Sequence, residues 1–295
     1  MSDERAQTVV ATFDLVERLL PRAVLLENVA GFVKGRTSAL PYIEDFIERI
    51  RLNTGVNYSL NHRVVNAADY GVPQNRKRVI LVLLRDDLQW DWPAPTHDKQ
   101  PVRAWDALAQ VRSTEIPEPQ GNWSTLLPSI PEGWNYQWLT AKGGGEELFG
   151  YRTKYWNFLL KLARDSPAWT LPASPGPSTG PFHWDNRPLS SEEMQRLQSF
   201  TDDWVFEGSY RERVKQIGNA TPPLLAQTMG VSIAKALGFT RVPLISAIDL
   251  REDLPTTLAM PTPVPSRYTH MIGAKDAHAG VGLGPNPRTV PPVLN

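Results

Sequence analysis

The first 95 residues alternate between helical and strand spacing of apolar residues, which restricts the chain to an α/β fold more firmly than any other feature. Val9, Phe13, Val16 and Leu20 recur at helical spacing and stop at Pro21. Ala23-Val24-Leu25-Leu26 follows as a short, continuously apolar run, the pattern of a buried strand. A second amphipathic stretch sets Ile43, Phe46, Ile47 and Ile50 on one face and ends near Gly55, a residue suited to a left-handed helix terminus. Tyr58 to Val65 and Val79 to Leu84 then read as strands, joined by the Gly- and Pro-containing loop DYGVPQNR at residues 69–76.

From Trp90 the texture changes. Prolines multiply, apolar periodicity fades, and all ten tryptophans fall between Trp90 and Trp204, so a second, irregular domain is expected. Gly143-Gly144-Gly145 predicts a flexible loop. Regular structure returns at residues 189–194, LSSEEM, where Ser190 and Glu193 form a capping box and a helix starts. The last helix opens with Pro222 and Pro223, places Leu225, Met229, Ile233 and Leu237 at helical spacing, and closes at Gly238. Beyond Pro243 the chain is rich in Pro, Gly and Thr and is expected to be a poorly ordered tail. Gly280, Gly282 and Gly284 follow no strand and precede Pro285, so they do not read as a phosphate loop.

Composition removes several chemistries. The sequence holds no cysteine, so this chain supplies no disulfide, no thiolate ligand and no thiolate nucleophile. Five scattered histidines lack metal-site spacing, and no metal is expected. Thirty-one basic and thirty-one acidic residues leave no net charge, so nucleic-acid contact requires a local basic surface. No run approaches the roughly 20 apolar residues of a spanning helix, and the acidic start from Met1 to Arg5 is unlike a signal peptide, which predicts a cytoplasmic protein without a membrane partner.

Three short motifs carry candidate chemistry. Glu27-Asn28-Val29 follows the strand run at 23–26, where groups at strand ends face the ligand crevice of an open α/β sheet. A loop acid capping the next turn is the plainer reading. Gln74-Asn75-Arg76-Lys77-Arg78 leads into the strand at Val79, and in extended backbone Arg76 and Arg78 share one side and suit phosphate or base oxygens. A solvated basic edge would look the same. Gln216 to Pro223, QIGNATPP, sets Gly-Asn in a tight turn before a helix, where amides and an Asn side chain can face a ligand or simply enter the helix.

Taken in order, ENV, DYGVPQNRKR about fifty residues later, an irregular stretch, RLQSFTDDW and QIGNATPP resemble the later portion of the DNA cytosine-5 methyltransferases, over roughly residues 1 to 95 and 167 to 238. The resemblance implies an incomplete Rossmann-like, S-adenosylmethionine-dependent methyltransferase sheet with a smaller, irregular target-recognition domain. Residues 1–95 would be the C-terminal half of the catalytic domain, 96–186 the target-recognition domain, 187–240 a returning catalytic segment with the closing helix, and 241–295 the tail.

In that family a cysteine attacks C6 of a cytosine flipped out of double-stranded DNA, and C5 takes the methyl group of S-adenosyl-L-methionine. The resemblance assigns Glu27 to cytosine N3 and the exocyclic amine. Acting there as the acid requires a raised pKa, and moving a glutamate from about 4.3 to 7 costs roughly 3.7 kcal/mol. It assigns Arg78 to O2, where charge grows during attack, and Arg76 to neighbouring backbone or phosphate. Asn28 and Gln74 are supporting residues, and Asn219, Ala220 and Thr221 finish the cofactor pocket. Most of the tryptophans are expected in cores.

The departures are as informative. The family's FxGxG cofactor loop, acidic ribose-binding positions and Pro-Cys-Gln nucleophile loop are absent, Thr201 stands where the family has Pro, and Thr221 where it has Val. The sequence therefore resembles the family from a point just after the nucleophile loop. Two readings follow. One is a subunit or fragment of a restriction–modification methyltransferase that works with a complementary N-terminal chain. The other is a catalytically inert DNA-binding or regulatory module, or a truncated gene product.

Overall fold

The computed structural model describes residues 4–35, 38–151, 155–244, 251 and 253–273. They form two compact units: Met1–Gly71 with Arg76–Lys99 and Thr221–Ser246, and Val72–Asn75 with Gln100–Ala220 and Ala247–Asn295.

The first unit holds the regular α/β structure. Helix α1 (Glu4–Leu19) stops before Pro21, and Leu20 turns the chain at a φ of 46°. Strand β1 (Ala23–Val29) and helix α2 (Leu40–Thr54) follow, α2 ending at Gly55 in the left-handed conformation. Next come β2 (Tyr58–Asn66), the two-residue β3 (Gln74–Asn75), which belongs to the second unit, and β4 (Lys77–Arg85). The sheet order is β1-β4-β2, and β4 pairs antiparallel with both neighbours. Val79, Leu81 and Leu83 on one face of β4 pack with Phe13 and Val16 of α1 and Ile43, Phe46 and Ile50 of α2. Ile80, Val82 and Leu84 on the other face are also buried. A strand shielded on both sides explains the unbroken apolar run.

The second unit is built from short pieces: α3 (Ala104–Leu108), β5 (Ala168–Trp169), which runs parallel to β3, α4 (Ser191–Leu197), α5 (Tyr210–Asn219) and several 3-10 turns. Two apolar clusters hold it. One gathers Leu126, Leu127, Tyr136, Leu139, Phe149 and Phe158, and the other Leu162, Leu171, Trp184, Met194, Leu197 and Ile217. Inside this unit, Lys161 is buried and donates to the carbonyl of Ile130 at 2.8 Å and to Asn186 Oδ1 at 2.7 Å. Burial lowers its pKa to about 8. Helix α6 (Pro223–Ala236) returns the chain to the first unit and buries Leu225, Met229 and Ile233.

Three expectations change. Residues 187–220 are compact with the irregular unit, and the chain rejoins the sheet-bearing unit only at Thr221. The tail beyond Pro243 is not uniformly unstructured. Val264, Tyr268 and Met271 enter the first apolar cluster, and Tyr268 stacks on Trp123 at 5.6 Å. Tyr268 and Met271 lie in the short 3-10 segment Ser266–Met271 and Val264 precedes it among prolines, which is too little for a periodicity reading. Residues 274–295, with their three glycines, lie outside the described residues. The Gly143-Gly144-Gly145 loop is packed rather than flexible: a Cβ on Gly144 would stand 2.6 Å from the Trp138 ring, and one on Gly145 2.6 Å from its Nε1. These glycines let backbone lie against indole. Among the described residues no helix is long and apolar enough to cross a membrane.

The capping box of α4 forms as expected, with Glu193 N donating to Ser190 Oγ at 3.1 Å and Ser190 N to Glu193 Oε2 at 2.8 Å. Glu193 also takes two bonds from Arg187, at 2.8 and 2.9 Å, and faces the buried His183. Asp185 N donates to His183 Nδ1 at 3.1 Å, which leaves the neutral ring's proton on Nε2. Burial presses the His183 pKa down to about 4, against the pull of Glu193. For Glu193 burial acts upward, but the Arg187 bonds and His183 outweigh it and the net pKa is lowered. Both groups therefore bind protons more readily when unfolded. Stability is full above about pH 6.5, falls first through His183 as pH drops toward 4, and falls further as Glu193 is protonated. His183→Asn should remove the upper part of that slope, on the order of 3 kcal/mol between pH 6.5 and 4. Urea midpoints at pH 7 and 5 check this, and an equal loss in both proteins would refute it.

Candidate active site

The antiparallel register of β1 on β4 sets the site. Val29 lies opposite Arg78 and Glu27 opposite Ile80, so Glu27 and Arg78 are diagonal neighbours on one face of the sheet. This is the face away from α1 and α2. β1 runs through Val29 rather than ending at Leu26, because pairing with Arg78, Val79 and Ile80 carries the ladder past the apolar run. Glu27 is thus fixed in a strand and is not a loop acid.

Arg78 Nε stands 2.9 Å from Glu27 Oε1. Glu27 Oε1 is buried, and the Arg78 guanidinium is the cation beside it. Arg78 Nη1 donates to the Lys77 carbonyl at 2.9 Å. Burial lowers the Arg78 pKa, and the Glu27 charge acts against that.

Arg76 lies in the break between β3 and β4 and is 1% exposed. Its N–H donates to Asn66 Oδ1 at 2.9 Å and its carbonyl accepts from Ala67 N at 3.0 Å. Burial, then the charge of Arg78, lower its pKa to about 10, with Glu27 opposing, and it stays cationic at neutral pH. Glu27, Arg76 and Arg78 therefore form one electrostatic group in the first unit: two guanidinium cations and one carboxylate.

Other expected site residues lie elsewhere. Asn28 Oδ1 accepts from Val29 N at 2.8 Å, so its side chain folds onto its own strand. Gln74 is fully buried in the second unit. It donates to the Leu197 carbonyl at 3.2 Å and to Gln198 Oε1 at 2.9 Å, and accepts from Leu171 N at 3.1 Å. Gly218 and Asn219 are the last turn of α5 and not a tight turn before a helix. A Cβ on Gly218 would come within 2.5 Å of the Ala173 backbone, so this glycine serves close packing. Asn219 is exposed and Ala220 half-buried, both in the second unit, while Thr221 opens the returning segment of the first.

Sequence reasoning passed over Gln198. Its side chain accepts from Gln74 and donates to the carbonyls of Ile217, at 2.6 Å, and Ala220, at 3.3 Å. Segments of all three later motifs, PQN, RLQSF and QIGNA, meet on this one buried amide. The signal was its place in RLQSF, a sequence noted only as part of a resemblance.

The family model for C-5 cytosine-specific DNA methylase matches residues 1–235, and the chain belongs to that family. It is 34% identical over 268 residues to the type II methyltransferase M.SacI of Streptomyces achromogenes, covering 81% of this chain and 66% of that protein. It is 32% identical over 240 residues to the type II methyltransferase M.Eco47II of Escherichia coli, covering 74% and 54%. The chain thus spans between about half and two thirds of these relatives. The solved methyltransferase EhMeth of Entamoeba histolytica shares the fold at a TM-score of 0.52, with 13% identity over 80% of this chain and 70% of that one.

The family is one of enzymes that use S-adenosyl-L-methionine. The residues present do not fit that cofactor by themselves: Asn219 offers one exposed amide, and the 840 Å³ cavity of the second unit is lined by neither Asn219, Ala220 nor Thr221.

Removing the Gln198 amide leaves Gln74 and two carbonyls to find other partners. Gln198→Ala should lower the unfolding free energy by roughly 1–3 kcal/mol, read as a shift in urea midpoint. An unchanged midpoint would show that the network contributes nothing to stability.

Proposed function

We propose that the chain is the carboxy-terminal portion of a DNA (cytosine-5) methyltransferase of a restriction–modification system, acting on a cytosine flipped from double-stranded DNA. The observation that carries the reading is the Glu27–Arg78 pair, a carboxyl and a guanidinium 2.9 Å apart on one sheet face with Arg76 buried behind. Glu27 meets cytosine N3 and the exocyclic amine. Arg78 turns to O2 and stabilises the charge that develops there. Arg76 adds fixed positive potential beside the pair. The second unit reads the DNA.

The thiolate and most of the cofactor pocket come from a complementary N-terminal segment. Two features support this. The sequence has no cysteine. Among the described residues, β1 pairs on one edge only, while Leu25 and Val29 are 38% and 55% exposed. An open, apolar-flanked strand edge accepts a further strand. The protein would work in the cytoplasm, on the nucleoid.

Mixing the full chain with an N-terminal fragment carrying the FxGxG and Pro-Cys-Gln segments, duplex DNA and labelled cofactor should give methyl transfer. Glu27→Gln and Arg78→Ala should each reduce it roughly 100- to 1000-fold. Transfer unaffected by either substitution would remove the assigned roles, and DNA binding without transfer would identify an inert recognition module.

A further inference from the structure

Arg76 sits outside both strands that flank it, since β3 ends at Asn75 and β4 begins at Lys77. A residue in such a break has no ladder to fix its peptide, and other groups must bond it. Its buried guanidinium nevertheless lies close enough to Glu27 and Arg78 to feel both charges.

The β2–β4 register shows how the peptide is held. The last pair is Asn66 with Lys77, and one further step would set Ala67 opposite Arg76. Half of that step is made: Ala67 N donates to the Arg76 carbonyl at 3.0 Å. The other half is missing, because the chain leaves the sheet in the 3-10 turn Ala67–Tyr70, where the Ala67 carbonyl accepts from Gly71 N. With that carbonyl engaged, the Arg76 N–H turns to Asn66 Oδ1 instead, at 2.9 Å. A side-chain amide thus stands in for a main-chain carbonyl and carries the ladder one residue past the point at which β2 departs.

Asparagine is common just before a helical turn, where its oxygen accepts from the turn's own first amides. Asn135 does so at the 3-10 turn Tyr136–Leu139, taking Gln137 N at 2.9 Å. Asn66 occupies the same position before Ala67–Tyr70 and makes no such bond. Its acceptor is directed ten residues along the chain, to Arg76. This forgone cap separates Asn66 from an ordinary turn residue.

We propose that Asn66 is a positioning residue for Arg76, holding its peptide in line with β4 so that Arg76 and Arg78, two residues apart, stay on the side of Glu27. Asn66 acts through Arg76 and touches no substrate. The role rests on the methyltransferase reading above and deepens it.

The test uses the full chain with the same N-terminal fragment, duplex DNA and labelled cofactor. Asn66→Ala should lower kcat about 10-fold and leave KM for DNA within about twofold, because the charged groups remain and only their alignment is lost. Asn66→Asp, which keeps an acceptor oxygen, should hold kcat within about threefold of the parent. In an Arg76→Ala background, Asn66→Ala should add less than about twofold, since a residue acting through Arg76 then has no side chain to place. Asn66→Ser, whose hydroxyl ends short of the Arg76 N–H, gives the same reading where alanine does not fold. A kcat within about twofold of the parent for these shortened variants, or an undiminished 10-fold loss of about the same size without the Arg76 side chain, overturns the positioning role and leaves the methyltransferase reading standing. A parent mixture that transfers no methyl group overturns that reading and this role with it.

Discussion

Pairing of β4 with two neighbours at once is the constraint on which the first unit depends. Its odd residues anchor α1 and α2, its even residues are buried on the opposite face, and the strand cannot slip by one residue without exchanging the two sets. The same register brings Glu27 of β1 to the diagonal of Arg78. Placement of the charged pair is thus a consequence of core packing several residues away. The local cost of burying guanidinium groups is met by apolar contacts along the rest of the strand.

The second unit uses a different principle. Its regular elements are short, and polar groups that longer helices or sheets would satisfy are taken up by side chains: Gln198 on the end of α5, Lys161 on the carbonyl of Ile130, and Glu193 on the start of α4. Each is buried, so each must be fully bonded to be tolerated. This gives an irregular unit a defined shape. It also explains why glycine appears where backbone must approach a ring or another backbone, as at Gly144 and Gly218.

What was legible in the sequence follows from these two principles. Periodicity revealed α1, α2, β2, β4 and α6 because each buries an apolar face against its neighbours. It could not reveal that β1 extends through Asn28 and Val29, since pairing with β4, not hydropathy, prolongs it. The helical state of Gly218 and Asn219 was hidden because a glycine kept for close packing looks like a turn residue. Val264, Tyr268 and Met271 were lost among prolines, where one short 3-10 segment leaves no repeating pattern. Of the site, the juxtaposition of Glu27, Arg76 and Arg78 was accessible through motif order, whereas Gln74 and Gln198 needed the fold, because one buried amide bonding to another leaves no mark on local pattern.

The pair at the site also has a logic in the absence of any cysteine in the chain. A thiolate adding to a pyrimidine ring needs electron density withdrawn toward N3 and O2 before or during attack. In the proposed roles Glu27, as the acid, and Arg78, as a cation, would supply that withdrawal wherever the sulfur originates. Their mutual attraction keeps both charges compensated. Polarisation and nucleophilic attack are therefore separable tasks. In the proposed function the sheet face formed by β1 and β4 would serve the first, and the edge of β1 left unpaired among the described residues would be where a segment carrying the second joins.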